Sequence, residues 1–228
     1  MNPVPLFLII LTLPLLLGGC GEKPNLKYEN LNYEIKDGTV TITGCDIKAS
    51  GALTIPATIE GNPVTSIYGP YWQARGEGAF SKCSNLTSIT IPDSVTSIGR
   101  GAFYNCSSLT SISIPDSVTS IGEEAFSECT SLTNITIPDS VTTIENFAFS
   151  ECTSLTNITI PDSVTNIGFA AFFRCTSLTA VTFLGDAPNV GEDDIGDSNP
   201  STIYRKPEAK GWGDTFGGRP VKLISEKP

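Results

Sequence analysis

A register of 23 residues runs through the middle of the chain: AFYNCSSLTSISIPDSVTSIG, starting at Ala102, superposes without a gap on AFSECTSLTNITIPDSVTTIE, starting at Ala125. Phe recurs at Phe80, Phe103, Phe126, Phe149 and Phe172, Cys at Cys83, Cys106, Cys129, Cys152 and Cys175, and Leu at Leu86, Leu109, Leu132, Leu155 and Leu178. A fixed period of this length implies a solenoid of stacked coils. Within each unit an apolar and Ser/Thr alternation such as LTSITIP, from Leu86, predicts a short β-branched strand stopped by Pro92 or its equivalent. The following PDSVTSIG turns the chain, sends Val95 and Ile98 inward, and leads through Gly99 into a short helical or 3₁₀ turn holding the Ala-Phe pair. About seven apolar side chains per coil, at ~1.5–3 kcal/mol each, cannot outweigh ~1–2 kcal/mol of backbone entropy for every residue ordered. One coil alone is therefore unstable, and stacking must supply the rest.

Composition removes several functions. With 24 acidic and 14 basic residues the net charge is −10, so the clustered cations that neutralise phosphate are missing and nucleic acid is excluded as a partner. The chain has no histidine, which excludes Ser-His-Asp and Cys-His catalysis and every His-containing metal site. A hydrophobic content of 39% with 21 Gly and 16 Pro describes a folded chain rich in turns.

The apolar run Leu6–Leu17 is shorter than the ~20 residues that a membrane-spanning helix needs, and Pro14 interrupts it. It reads as the core of a signal peptide. The LGGC that ends at Cys20 resembles the lipobox of bacterial lipoproteins. That resemblance implies cleavage after residue 19, lipidation of Cys20, and attachment to the membrane through the lipid. Gly21, in place of Asp, implies sorting toward the outer membrane or cell surface. The stretch before the run lacks Lys and Arg, which departs from the usual pattern, and a plain secretory peptide is the alternative.

The unit LxxIxIP, an IG-containing arc, then AFxxCxxL, resembles the BspA-like leucine-rich repeat of bacterial and protist surface proteins. The resemblance implies a leucine-rich-repeat solenoid with short parallel strands and capped ends. It divides the chain into a signal peptide (1–19), a lipidated tether (20–27), an N-terminal cap (28–78) containing an aromatic insertion (68–76), the repeats (79–184) and a C-terminal cap (185–228). In the first cap, Tyr33 and Ile35 are expected to pair with Val40 and Ile42 across Asp37-Gly38, a strong hairpin dipeptide. In the second, Trp212 and Phe216 are expected to plug the last coil.

Several columns of repeated residues are candidate sites. Cysteines one coil apart stand ~4.8 Å from each other with parallel side-chain vectors, an arrangement unsuited to disulfides, so buried reduced thiols are expected. No CxxC pair exists to hold zinc, and Cys45 is left over outside the column. Asp93, Asp116, Asp139 and Asp162 could collect calcium, but without a bidentate partner the favoured reading is that each accepts local backbone N–H groups in its turn. No cofactor is expected.

The strand face offers Thr87, Ser88, Thr90, Thr110, Ser111, Ser113, Thr133, Asn134, Thr136, Thr156, Asn157, Thr159, Thr179, Ala180 and Thr182 between the inward Leu and Ile. Of these, Ser88, Thr90, Ser111, Ser113, Asn134, Thr136, Asn157 and Thr159 are the candidate contacts. Such a sheet of hydroxyls and amides can bind a partner, and equally can be a β-favourable solvent face. The insertion adds Tyr68, Tyr71, Trp72 and Arg75, residue types enriched at binding hot spots, which can alternatively fold back over the solenoid. Together these features suggest a noncatalytic envelope lipoprotein that binds a protein or a surface glycan. A structural or self-associating envelope scaffold is the alternative, and a hydrolase without histidine is the least supported.

Overall fold

The computed structural model describes residues 30–69, 78–190 and 202–227. The chain forms the expected solenoid. Each unit first contributes a strand to one parallel sheet: Ser50–Thr54, Asn85–Thr90 and Ser111–Ser113 lie side by side, as do Asn157–Ile160, Ala180–Phe183, Thr202–Arg205 and Arg219–Leu223. Between the two groups the coil from Leu132 to Pro138 makes only single bridges through Thr136, to Ser113 on one side and Thr159 on the other.

The chain then turns through Pro-Asp-Ser-Val, closed by the Val N–H donating to the Pro carbonyl at 3.0 Å in the coil of Pro92 and 3.2 Å in that of Pro161. It next enters a second parallel sheet that the alternation alone does not reveal. Two-residue strands Ser97–Ile98, Ser120–Ile121, Thr143–Ile144, Asn166–Ile167 and Asn189–Val190 stack there, continuing Asn62–Ile67. The third side consists of β-turns in place of the helical or 3₁₀ turn expected, each closed by the Cys N–H on the Phe carbonyl three residues back, as from Cys83 to Phe80 at 3.1 Å, because the residue before the Cys takes a positive φ.

Two features hold that third side. Phe103 N–H donates to Ala125 O in the following coil, and Asn105 N–H to Ser127 O, both at 2.8 Å, and the same pair of bonds recurs in other coils. Lys82, Asn105, Glu128, Glu151 and Arg174 adopt left-handed φ between 53° and 61°, a conformation that costs a non-glycine residue ~1–2 kcal/mol. Gly122, after the buried Ile121, serves a different need: a Cβ there would lie 2.6 Å from the carbonyl carbon of Gly99, so the approach of these two coils requires glycine at that position, whereas the next coil accepts Glu145 at the equivalent place.

The core is a set of columns. Phe80, Phe103, Phe126, Phe149 and Phe172 are fully buried and stack with ring centroids 5.2–5.5 Å apart and planes within 14° of parallel. At the N-terminal end, Leu31–Lys36 pairs antiparallel with Thr39–Cys45, matching Tyr33 with Ile42 and Ile35 with Val40 across Asp37-Gly38 at φ 51° and 74°. Burial of Leu31, Val40 and Ile42 lets this hairpin close the apolar cross-section. At the other end Phe183, Trp212 and Phe216 cluster with centroids 4.8–5.5 Å apart, and Trp212 Nε1 donates to Gly185 O at 3.3 Å.

Candidate binding face

Ladder register decides which polar side chains face outward. Ser88 aligns with Ser111 and Thr90 with Ser113, while Asn157 aligns with Ala180 and Thr159 with Thr182. Bridges through Thr136 link the two halves. The structure therefore brings Ser88, Thr90, Ser111, Ser113, Asn134, Thr136, Asn157 and Thr159 onto one sheet face, all of them solvent-accessible. The neighbouring column is already engaged. Thr110 Oγ1 donates to Thr87 O at 3.0 Å and Thr179 Oγ1 to Thr156 O at 3.1 Å, so these hydroxyls tie coil to coil.

Where the ladder is interrupted, Asn134, Thr136, Asn157 and Thr159 line a groove of about 430 Å³, with Asp139, Pro161 and Leu184 at its edge. Farther along, the face closes. Ala180 and Thr182 are buried rather than exposed, and the C-terminal segment reaches Thr182: Lys227 Nζ donates to Thr182 Oγ1 at 3.2 Å and lies 5.7 Å from the Tyr204 ring centroid.

Tyr68 is exposed but follows the strand Asn62–Ile67 of the second sheet, where its Cβ stands over Gly99. Tyr71, Trp72 and Arg75 lie outside the described residues, as does Cys20. Asp93, Asp116, Asp139 and Asp162 are exposed, and the side-chain bonds of their turns are made by the next residue instead: Ser140 Oγ donates to Val118 O at 2.6 Å and Ser163 Oγ to Val141 O at 2.7 Å. Among the described residues no cluster of three or more carboxylates and thiols has metal-binding geometry.

The thiol column is structural. Cys106, Cys129, Cys152 and Cys175 are free, fully buried, and donate to the carbonyls of Phe80, Phe103, Phe126 and Phe149 at 3.0–3.2 Å. Burial pushes the Cys129 and Cys175 thiols up to about 12, which suppresses the nucleophilic thiolate.

Sequence reasoning missed a second recess on the turn side. Tyr104, Glu124, Glu128, Phe147, Glu151 and Phe173 line a cleft of about 230 Å³. The Tyr104 hydroxyl donates to Glu128, whose carboxylate raises the phenol to about 12. Arg100 pairs with Glu123 at 3.4 Å and Glu124 at 3.7 Å, and Arg174 pairs with Glu151 at 3.6 Å while lying 5.1 Å from the Phe173 ring centroid. The available signal was departure from the repeat: Tyr104 and Phe173 stand where Ser81, Ser127 and Ser150 stand in the other units.

The family model described as the BspA type leucine rich repeat region matches residues 74–198 in six copies. Among solved structures, the leucine rich repeat protein of T. pallidum is 28% identical with a TM-score of 0.64, over 80% of this chain and 86% of that one. A leucine rich cell surface protein of Faecalibacterium prausnitzii A2-165 is 29% identical with a TM-score of 0.62, over 90% of this chain and 56% of its own length. No curated protein matches the chain. The family match spans more than half of the sequence and coincides with the stacked coils, so the chain belongs to the BspA-type leucine-rich repeat family.

Proposed function

We propose that this chain is an exported binding protein of the bacterial envelope, held to the membrane by lipid on Cys20, which uses its strand face to grip a protein ligand. The observation that carries the reading is the groove at Asn134, Thr136, Asn157 and Thr159. Its polar groups are accessible, uncharged and repeated in register, so an extended segment can exchange water for hydrogen bonds at low desolvation cost. The exposed Asp row along one edge favours a partner with basic residues on that side. The cell-surface description of the F. prausnitzii relative and the LGGC motif both support location outside the cytoplasm. Binding fits these features better than catalysis, because no reactive group converges with another at the groove.

The test is capture from envelope extracts by the full chain and by a variant carrying Asn134→Lys and Thr136→Lys. Capture that is lost in the variant supports the strand face, and capture that is unaffected overturns it. Ligand that survives protease treatment of the extract identifies a surface glycan instead.

A further inference from the structure

The first thiol of the column differs from the others. Cys106, Cys129, Cys152 and Cys175 each donate to a Phe carbonyl one coil earlier, but Cys83 belongs to the first Ala-Phe unit and has no such coil before it. The hairpin cap supplies the substitute. Cys83 Sγ approaches Asp46 O at 3.9 Å, and Cys45, at the end of the strand Thr39–Cys45, directs its own Sγ to the same oxygen at 3.6 Å. Two thiols from different elements thus converge on one acceptor oxygen. Cys83 is fully buried and Cys45 is half-buried at the edge of the cap.

We propose that Cys45 and Cys83 are a disulfide modification site that locks the N-terminal cap onto the first coil when the protein meets a thiol-oxidising environment. The oxidant is a disulfide, carried by a small molecule or by a protein. The more accessible sulfur, Cys45, loses its proton to solvent and attacks one sulfur of the oxidant, which breaks the S–S bond and expels a thiolate. Cys83 then loses its proton, attacks the Cys45 sulfur of the mixed disulfide and expels the second thiolate. The two cysteines give up two electrons and two protons, and the oxidant ends as two thiols. The other thiols are excluded, since each is buried and directed at a carbonyl of its own.

The experiment exposes the full chain, carrying Cys20→Ser so that this residue cannot react, to glutathione disulfide. Remaining thiols are blocked with N-ethylmaleimide after denaturation, and the digest is read by mass spectrometry. The expected product has lost two hydrogen atoms, joins the peptides of Cys45 and Cys83, and carries maleimide on Cys106, Cys129, Cys152 and Cys175. Its melting temperature rises by several degrees over the reduced form, because the link restricts the unfolded chain. Adding Cys45→Ser removes both the joined peptide and the rise. A Cys83–Cys106 link, or glutathione left on Cys45 with no joined peptide, overturns the proposal.

Discussion

Cys129 Sγ donates to the carbonyl oxygen of Phe103 at 3.2 Å, so the thiol of one coil is fastened to the aromatic turn of the coil before it. Replacement by Ser puts a shorter, more polar group in a site shaped for sulfur, and Cys129→Ser is expected to cost ~1–3 kcal/mol in urea unfolding. Native Cys129 should also resist alkylation until the chain is denatured.

The same thiols set an alkaline limit. In the unfolded chain they ionise near 9.0, but burial raises Cys129 and Cys175 to about 12 when folded. Above the lower value the unfolded state has released protons that the native state still binds, so stability falls as pH rises from about 9 toward 12. Melting temperature measured across that range should decline more gently for Cys129→Ala than for the parent, relative to each protein's own value at neutral pH.

Phe126 sits between Phe103 and Phe149, with ring centroids 5.2 and 5.4 Å away. Phe126→Ala opens a cavity shared by three coils and should destabilise by ~3–5 kcal/mol in denaturant titrations.

Ser and Asp in the Pro-Asp-Ser turns separate cleanly by mutation. Ser140→Ala loses the bond to Val118 O and should cost ~1 kcal/mol, whereas Asp139→Ala should change stability by less than ~0.5 kcal/mol. Equal losses from the two substitutions would contradict this assignment.

Lys82 is exposed at φ 61°, where a β-branched residue is strained and glycine is not. Chemical denaturation should find Lys82→Val less stable by ~1 kcal/mol or more, and Lys82→Gly equal to or above the parent.

For binding, Thr136→Ala alone should weaken affinity for a captured ligand by less than ~1 kcal/mol, because a flat hydroxyl row spreads its contacts. Trp72→Ala or Tyr71→Ala should weaken it by ~2 kcal/mol or more without moving the melting temperature. Calorimetric titration with each variant checks both. Unchanged affinity on deletion of the aromatic loop would confine the contact to the strand face.

The architecture was legible wherever the physical cause is local or repeated. Asp37-Gly38 prescribes its hairpin because both residues tolerate positive φ. The Phe, Cys and Leu columns announce burial by their period. The second sheet escaped because two-residue strands such as Ser97–Ile98 are too short to display an alternation. The heptad from Leu132 to Pro138 has the same sequence as that from Leu155 to Pro161, yet only the latter contains a strand, Asn157–Ile160, so neighbouring coils decide the difference. The candidate face was visible as alternating Ser, Thr and Asn. Its closure at Thr182 was not, since Lys227 arrives from 45 residues away. The cleft beside Tyr104 showed in the sequence only as Tyr104 and Phe173 replacing the Ser of the other units, and nothing in the pattern brought them together with Glu124 and Glu128.

The hydrogen bonds of the thiols from Cys106 to Cys175 and of the Pro-Asp-Ser hydroxyls, like the stacked Phe rings, join adjacent coils only. Under a pull along the chain this arrangement yields one layer at a time. Each layer detaches against nearly the same resistance, because its bonds repeat those of the layer behind it. A released unit of 23 residues lengthens to ~75–80 Å of extended chain, so the molecule lengthens in even steps while the remaining layers stay folded.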